Sequence, residues 1–470
     1  MKKALALLLL AAMLLCMIAC EKPTPTSGDV SGETSETSAS GEVPEEKAAV
    51  PYGTYYIKTT DGRFVTASTS NTKIMLTDGS KEEPCRWTVY FRTVKGEKHY
   101  MIYRGELTEQ PIAVKGTSAE SDIYRASKKD PSNYNVWNLL PNEDGSAFQI
   151  ALNFQDNECC FSFDSKGNMV LGNTADKKAT DFFTFEKAIP SEKYDEYASA
   201  GGNIILRIPH YFVTRHSIGL TADMAQKYAD LLQIAYEAEV ELTGYVPYDV
   251  IVIKAYENEG IVAGVVDNYN VITVNVGFMQ GEMEKFVYRY KELHRWDLGF
   301  AIMHEMGHMF DSQRAWNFES EAWTDLKLCY ATKICNERWN QPDGYPVALA
   351  PSDFGKKDVF TYEELDEMYT RCGHSDQGAM KTNYSFYAMA HVYLKIAEQY
   401  GWEPFIKAFH YFQDAGETQS TYGSQLERYY AYANKLSEFI GKDPQTLVDE
   451  VNPTAWDVII EFYTHGGKAL

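Results

Sequence analysis

From about residue 52 to 187 the chain alternates apolar and polar positions in short runs broken by Gly, Asn and Asp. Examples are Tyr55-Tyr56-Ile57-Lys58, Phe64-Val65-Thr66-Ala67, Lys73-Ile74-Met75-Leu76 and Phe161-Ser162-Phe163. A period of two bounded by turn residues predicts β-strands with one face toward a core. The alternation fades over 188–200, which reads as an interdomain connection. Past residue 200 the period lengthens. Leu220 to Leu242 predicts an amphipathic helix, and Val250–Ile253 and Val271–Val276 predict strands. Leu298 to Phe310, Ala322 to Ala331 and Phe386 to Ala397 carry apolar residues at helical spacing.

The first 50 residues follow neither period. Lys2 and Lys3 precede an apolar run from Ala4 to Ala19 that is too short to span a bilayer comfortably and has the flanks of a secretory signal. The run closes on Met17-Ile18-Ala19-Cys20, which resembles a bacterial lipobox with Met where Leu is usual. The resemblance implies that 1–20 is a lipoprotein signal peptide. Acylated Cys20 would then anchor the chain to a membrane, at the bacterial cell surface or in the periplasm. Residues 21–50 are rich in Ser, Thr, Glu, Gly and Pro. They cannot bury enough apolar surface to offset the entropy of ordering, so they predict a disordered tether.

Charge narrows the function classes. With 44 Lys+Arg against 66 Asp+Glu the net charge is −22, which argues against nucleic acid and anionic lipid as partners. Contact with a membrane is then expected through the lipid anchor only. Cys16 and Cys20 belong to the leader. The other six cysteines, Cys85, Cys159, Cys160, Cys329, Cys335 and Cys372, include no CxxC pair and so no cysteine zinc site. They are expected as buried or free thiols, with room for one or two disulfides.

The β-rich region repeats itself. Trp87-Thr88-Val89, Trp137-Asn138-Leu139 and Phe183-Thr184-Phe185 recur at intervals of 50 and 46 residues, each closing a unit whose opening strand holds Ile57, Ile102 or Ile150. Three such units over 52–187 resemble the ricin-B-like β-trefoil, which implies a carbohydrate-binding role. That family's repeat often ends in Gln-x-Trp. Here the triplets are Cys85-Arg86-Trp87, Asn135-Val136-Trp137 and Asp181-Phe182-Phe183, without the Gln. The aromatics are therefore read as core residues, and no sugar-binding residue is assigned.

The chemistry sits in His304-Glu305-Met306-Gly307-His308. On a helix, positions i and i+4 share a face, so both imidazoles can reach one ion, while Glu305 stands about 100° round and can act on water rather than ligate. A zinc hydrolase site usually takes three protein ligands. The candidates for the third are Glu319 and Glu321. Glu321 is the better placed, because Asp325 at i+4 shares its face and can accept the free N–H of a ligand histidine. Zinc would activate water, and Glu305 would take its proton and pass it to the leaving amine. The strand Val271–Val276 is a candidate for lining the cleft and pairing with an extended peptide. Tyr384, Tyr387 and His391 are candidates for a further oxyanion donor, although ordinary packing explains them better.

HExGH with Glu321 is the gluzincin arrangement, and 195–470 resembles the enhancin-like zinc metallopeptidases, which include mucin-degrading enzymes. The run Tyr400-Gly401-Trp402-Glu403-Pro404-Phe405 after an apolar helix adds to the likeness. The resemblance implies that His304, His308 and Glu321 are zinc ligands, that Glu305 is the catalytic acid/base, and that the substrate is a mucin-like or other O-glycosylated protein. The expected architecture is multidomain, an all-β trefoil-like domain followed by an α+β, mostly helical zincin-like domain. Two alternatives stay open: a zincin for unglycosylated peptides with the trefoil as spacer, and an inactive glycan-binding lipoprotein adhesin.

Overall fold

The computed structural model describes residues 50–470 except 69, 80–84, 95–96, 106–110, 127–134, 155–157, 189–192, 257–262, 266–269, 351–384, 452, 454 and 466–470. Cys20, the tether, Cys372 and Tyr384 lie outside the described residues. The chain divides between residues 190 and 191 into two compact units.

Among the described residues the first unit has twelve strands in three repeats of four. They are β1 (Gly53–Thr59), β2 (Phe64–Ala67), β3 (Ile74–Thr77) and β4 (Arg86–Val94); β5 (Glu97–Arg104), β6 (Ile112–Val114), β7 (Ile123–Arg125) and β8 (Trp137–Pro141); β9 (Phe148–Leu152), β10 (Cys159–Phe163), β11 (Met169–Asn173) and β12 (Phe183–Lys187). The first and last strand of each repeat close a six-stranded barrel, in which β1 pairs β4, β4 pairs β5, and pairing continues through β8, β9 and β12 back to β1. The remaining strands form the hairpins β2–β3, β6–β7 and β10–β11. Isolated bridges Lys73–Tyr124, Met75–Asn168 and Asp122–Val170 join those hairpins to one another pairwise. A closed barrel capped by three mutually bridged hairpins is a trefoil-like fold.

The repeat seen in the sequence maps onto this threefold arrangement. Ile57, Ile102 and Ile150 occupy the first strands, Trp87, Trp137 and Phe183 the last, and all six are wholly buried. Trp87 Nε1–H donates to the Val65 carbonyl at 2.9 Å and Trp137 Nε1–H to the Ile112 carbonyl at 3.3 Å, each tying its barrel strand to a hairpin of its own repeat. Phe183 has no such donor and packs edge-on to Phe161 at 5.8 Å. Cys85, Asn135 and Asp181, at the positions where Gln is often found, are all buried. Asp181 accepts a hydrogen bond from Ser162 at 2.8 Å.

The second unit is α+β and mostly helical. Its sheet runs β13 (Tyr194–Ala198), β14 (Ile204–Pro209), β15 (Ile251–Tyr256), β17 (Val271–Asn275), β16 (Ala263–Val265). β14, β15 and β17 are parallel, and β13 and β16 are antiparallel to their neighbours. Besides a short helical turn at Tyr211–Thr214, the helices among the described residues are α1 (Ala222–Thr243), α2 (Val276–Leu293), α3 (Phe300–Met309), α4 (Ser320–Arg338), α5 (Ser385–Tyr400), α6 (Glu403–Ala415), α7 (Gln425–Ile440), α8 (Pro444–Asp449) and α9 (Ala455–Thr464). β18 (Trp296–Gly299), which precedes α3 directly, pairs in parallel with β19 (Val347–Ala350), which follows α4. No disulfide joins any two of the described cysteines Cys85, Cys159, Cys160, Cys329 and Cys335.

Three local readings change. Val276 is not the end of a strand, because the Asn275 side chain accepts the amides of Gly277 and Phe278 and so starts α2 there. Leu298 is strand rather than helix, since β18 finds a parallel partner 51 residues on, in the register Leu298–Leu349. β17 cannot take a peptide strand, because β15 and β16 occupy both its edges. Among the described residues the strand at that end of the sheet is β16.

Candidate metal centre

Two contacts fix α3. The Gly299 amide, at its N-terminus, donates to Tyr228 Oη on α1 at 3.1 Å. Its other end crosses α4 at Gly307, where a Cβ would stand 2.9 Å from Thr324 Cγ2 and 3.3 Å from the Thr324 backbone. Glycine is thus what lets the two helices approach. α4 is buried around most of its circumference, and Trp323 packs against Tyr393 of α5, Phe409 of α6 and Tyr432 of α7. An aromatic cluster from the C-terminal helices therefore presses α4 toward α3.

This packing brings three ligand atoms together. His304 and His308 point their Nε2 atoms at each other across 3.2 Å. Glu321, in the first turn of α4, lies 3.3 Å from His304 Nε2 through Oε2 and 3.5 Å from His308 Nε2 through Oε1. Among the described residues these three form the group of His, Cys, Asp and Glu able to hold a metal ion. The fit can be checked by size, since a tetrahedral ion with bonds of ~2.0–2.2 Å keeps its ligand atoms about 3.3–3.6 Å apart. The two Glu321 spacings, 3.3 and 3.5 Å, lie in that range, and the His304–His308 spacing of 3.2 Å falls just below it. Glu319 is not in the group. It precedes the helix with extended backbone, and its carboxylate accepts from Gln425 Nε2 at 3.3 Å.

The outer imidazole nitrogens are also engaged. Asp325, fully buried, lies 3.2 Å from His304 Nδ1. Asp311 lies 2.9 Å from His308 Nδ1, and Thr324 Oγ1 is 3.2 Å from the same atom. Lys327, also fully buried, donates to Asp311 at 2.9 Å and to the Gly307 carbonyl at 2.5 Å. Asp311 and Lys327 were not found by spacing alone. The available signals were a carboxylate three residues past a ligand histidine and a lysine inside the apolar run Leu326 to Ala331.

Electrostatics follow from these contacts. Burial opposes charge on both imidazoles, but Asp325 and Glu321 outweigh it at His304, which rises well above the usual imidazole range. Glu321 and Asp311 carry His308 up to about 10 against the same burial. Burial pushes up Glu321 as well, yet the two histidines hold it well below the ordinary carboxylate range. Behind this cluster the carboxyl of Glu239 on α1 is fully buried with no hydrogen-bond partner among the described residues. Burial raises it to about 8 against the pull of Lys327.

Glu305 is not one of the grouped ligand residues. Its Oε2 accepts the backbone N–H of Val265 on β16 at 3.1 Å. Of the candidate oxyanion donors, His391 is buried within α5.

No protein-family model matches the chain, and no curated protein matches it. Solved structures with local similarity include the GlcNAcα1-4Gal-releasing endo-β-galactosidase from Clostridium perfringens, at 16% identity over 28% of this chain and 32% of that one, with a TM-score of 0.24. The agglutinin of Rhizoctonia solani matches at 10% identity over 29% of this chain and 96% of its own, with a TM-score of 0.24. SeviL bound to asialo-GM1 saccharide matches at 13% identity over 30% and 100%, with a TM-score of 0.23. The match spans about a third of the first of these chains.

Proposed function

We propose that this chain is a cell-surface zinc endopeptidase acting on mucin-like or other O-glycosylated protein, with residues 195–470 as the peptidase, 52–187 as a glycan-binding trefoil, and 21–50 as a tether ending in acylated Cys20. The observation that carries the reading is the convergence of His304 Nε2, His308 Nε2 and a Glu321 carboxylate at ligand spacing, with Glu305 on the same helix turned toward a sheet edge.

In this reading His304, His308 and Glu321 would hold zinc, and Asp325 keeps the His304 imidazole oriented through Nδ1. When bound, the ion supplies Lewis acidity, polarising a carbonyl and making water acidic near pH 7. Glu305 accepts one proton from the attacking water as its oxygen bonds to the scissile carbon. It then delivers that proton to the amide nitrogen as the C–N bond breaks, so the carboxylate is regenerated. The edge strand β16 offers backbone groups beside Glu305 along which an extended peptide can lie. A trefoil on the same tether raises the local concentration of a glycosylated substrate.

Digestion of an O-glycoprotein before and after enzymatic glycan removal tests this. Cleavage that requires the glycan supports the proposal; cleavage of the bare chain alone selects a peptidase for unglycosylated substrates. One observation favours that second reading. Cys85, Asn135 and Asp181 are built into the trefoil interior and offer no polar group to a sugar at the surface.

A further inference from the structure

We propose that Lys327 and Asp311 act as a positioning pair for the metal centre, fixing which nitrogen of His308 is free to bind an ion. The inference rests on the metal-site reading above and adds to it two residues with no assigned role.

His308 can ligate through either ring nitrogen, and the hydrogen bond made by the other decides which. Nδ1 lies 2.9 Å from Asp311 Oδ2, so a proton on Nδ1 is donated there and the Nε2 lone pair is left facing His304 and Glu321. That arrangement requires Asp311 to stay an acceptor. Its other oxygen is bound at 2.9 Å by the Lys327 ammonium. Lys327 is buried on α4 and is held on three sides, by Asp311, by the Gly307 carbonyl at 2.5 Å and by the face of Trp316 at 5.5 Å.

A buried ammonium is costly unless paired, so one with a carboxylate, a carbonyl and an aromatic face is tightly located. The Gly307 contact matters for a second reason. Gly307 immediately precedes His308, so the same ammonium that holds the carboxylate also holds the helical turn carrying the ring. One cation thus sets both the position of His308 and the direction of its Nδ1–H. Asp325 holds the corresponding place on His304 Nδ1 from within α4, whereas Asp311 lies beyond the end of α3.

The test uses the full chain, stripped of metal and titrated with Zn²⁺ against a chromophoric chelator. It compares wild type with Lys327→Met, Asp311→Asn and the double variant, which removes both charges together. Each folded variant should bind Zn²⁺ about 10–100-fold more weakly. The visible spectrum of the Co²⁺-loaded protein should shift as well, which a remote loss of stability would not produce. Zn²⁺ affinity within twofold of wild type and an unchanged Co²⁺ spectrum in a folded variant would overturn the pair's role. If wild type itself binds no Zn²⁺, the metal-site reading falls and this inference with it. Should no variant fold, ¹⁵N-histidine NMR of Zn²⁺-loaded wild type decides, with a proton on His308 Nδ1 expected and metal on Nδ1 excluding the proposal.

Discussion

The backbone N–H of Val265 donates to Glu305 Oε2 at 3.1 Å, so the sheet edge and the helix bearing the two histidines share a hydrogen bond. This ties the position of the proposed proton carrier to the strand along which a peptide would lie. Val265→Pro removes the donor. Because that N–H points to Glu305 rather than into the sheet, proline costs no ladder bond there. Peptide hydrolysis should fall about 10-fold or more while zinc stoichiometry holds. Steady-state kinetics alongside metal analysis checks this, and loss of the metal instead would mean that β16 supports the fold of the centre rather than Glu305.

Glu305→Gln keeps the shape of the side chain and removes its basicity. The variant should retain about one zinc per chain and lose cleavage by a factor of at least about 10². Substantial residual turnover would remove Glu305 from its assigned role.

Glu321 joins α4 to α3 through both imidazoles. Glu321→Ala leaves two ligands and should release most of the metal from the purified protein, as read by elemental analysis. Chelation of wild type should lower its thermal midpoint, because binding free energy is then withdrawn from the folded state. An unchanged midpoint after verified metal removal would contradict this.

Glu239 gives a pH signature. Its folded value of about 8 lies above the ordinary 4.5, so between those values the unfolded chain releases a proton that the native state keeps. Stability from this group is complete below pH 4.5 and is lost as pH rises toward 8. Glu239→Gln removes the liability. The variant should match wild type near pH 4.5 and exceed it by up to a few kcal/mol at pH 8. Denaturant unfolding at the two pH values measures the difference, and an equal difference at both would refute the assignment.

In the trefoil unit, Trp137→Ala removes a wholly buried indole and leaves the Ile112 carbonyl without its donor. The expected cost is about 3–5 kcal/mol. Denaturant unfolding of the full chain, wild type against variant, measures the difference.

Local pattern carried much of this protein. The period of two, the recurrence of Trp87, Trp137 and Phe183, and the partner positions Ile57, Ile102 and Ile150 implied a threefold β unit, because each repeat must bury the same face. The i, i+4 spacing of His304 and His308 set a common direction for two imidazoles, since helix geometry is local. Even Glu321 and Asp325 could be put on one helical face. What spacing cannot supply is a contact between segments. The parallel partner of β18, the interior place of β17 and the edge position of β16 depend on strands far apart in the chain. The closeness of α3 and α4 depends on Gly307 meeting Thr324 and on aromatics from three later helices. Asp311, Lys327 and Glu239 became visible only through that packing. A charge buried by tertiary structure gains its meaning from the neighbours packed against it, and these come from different elements.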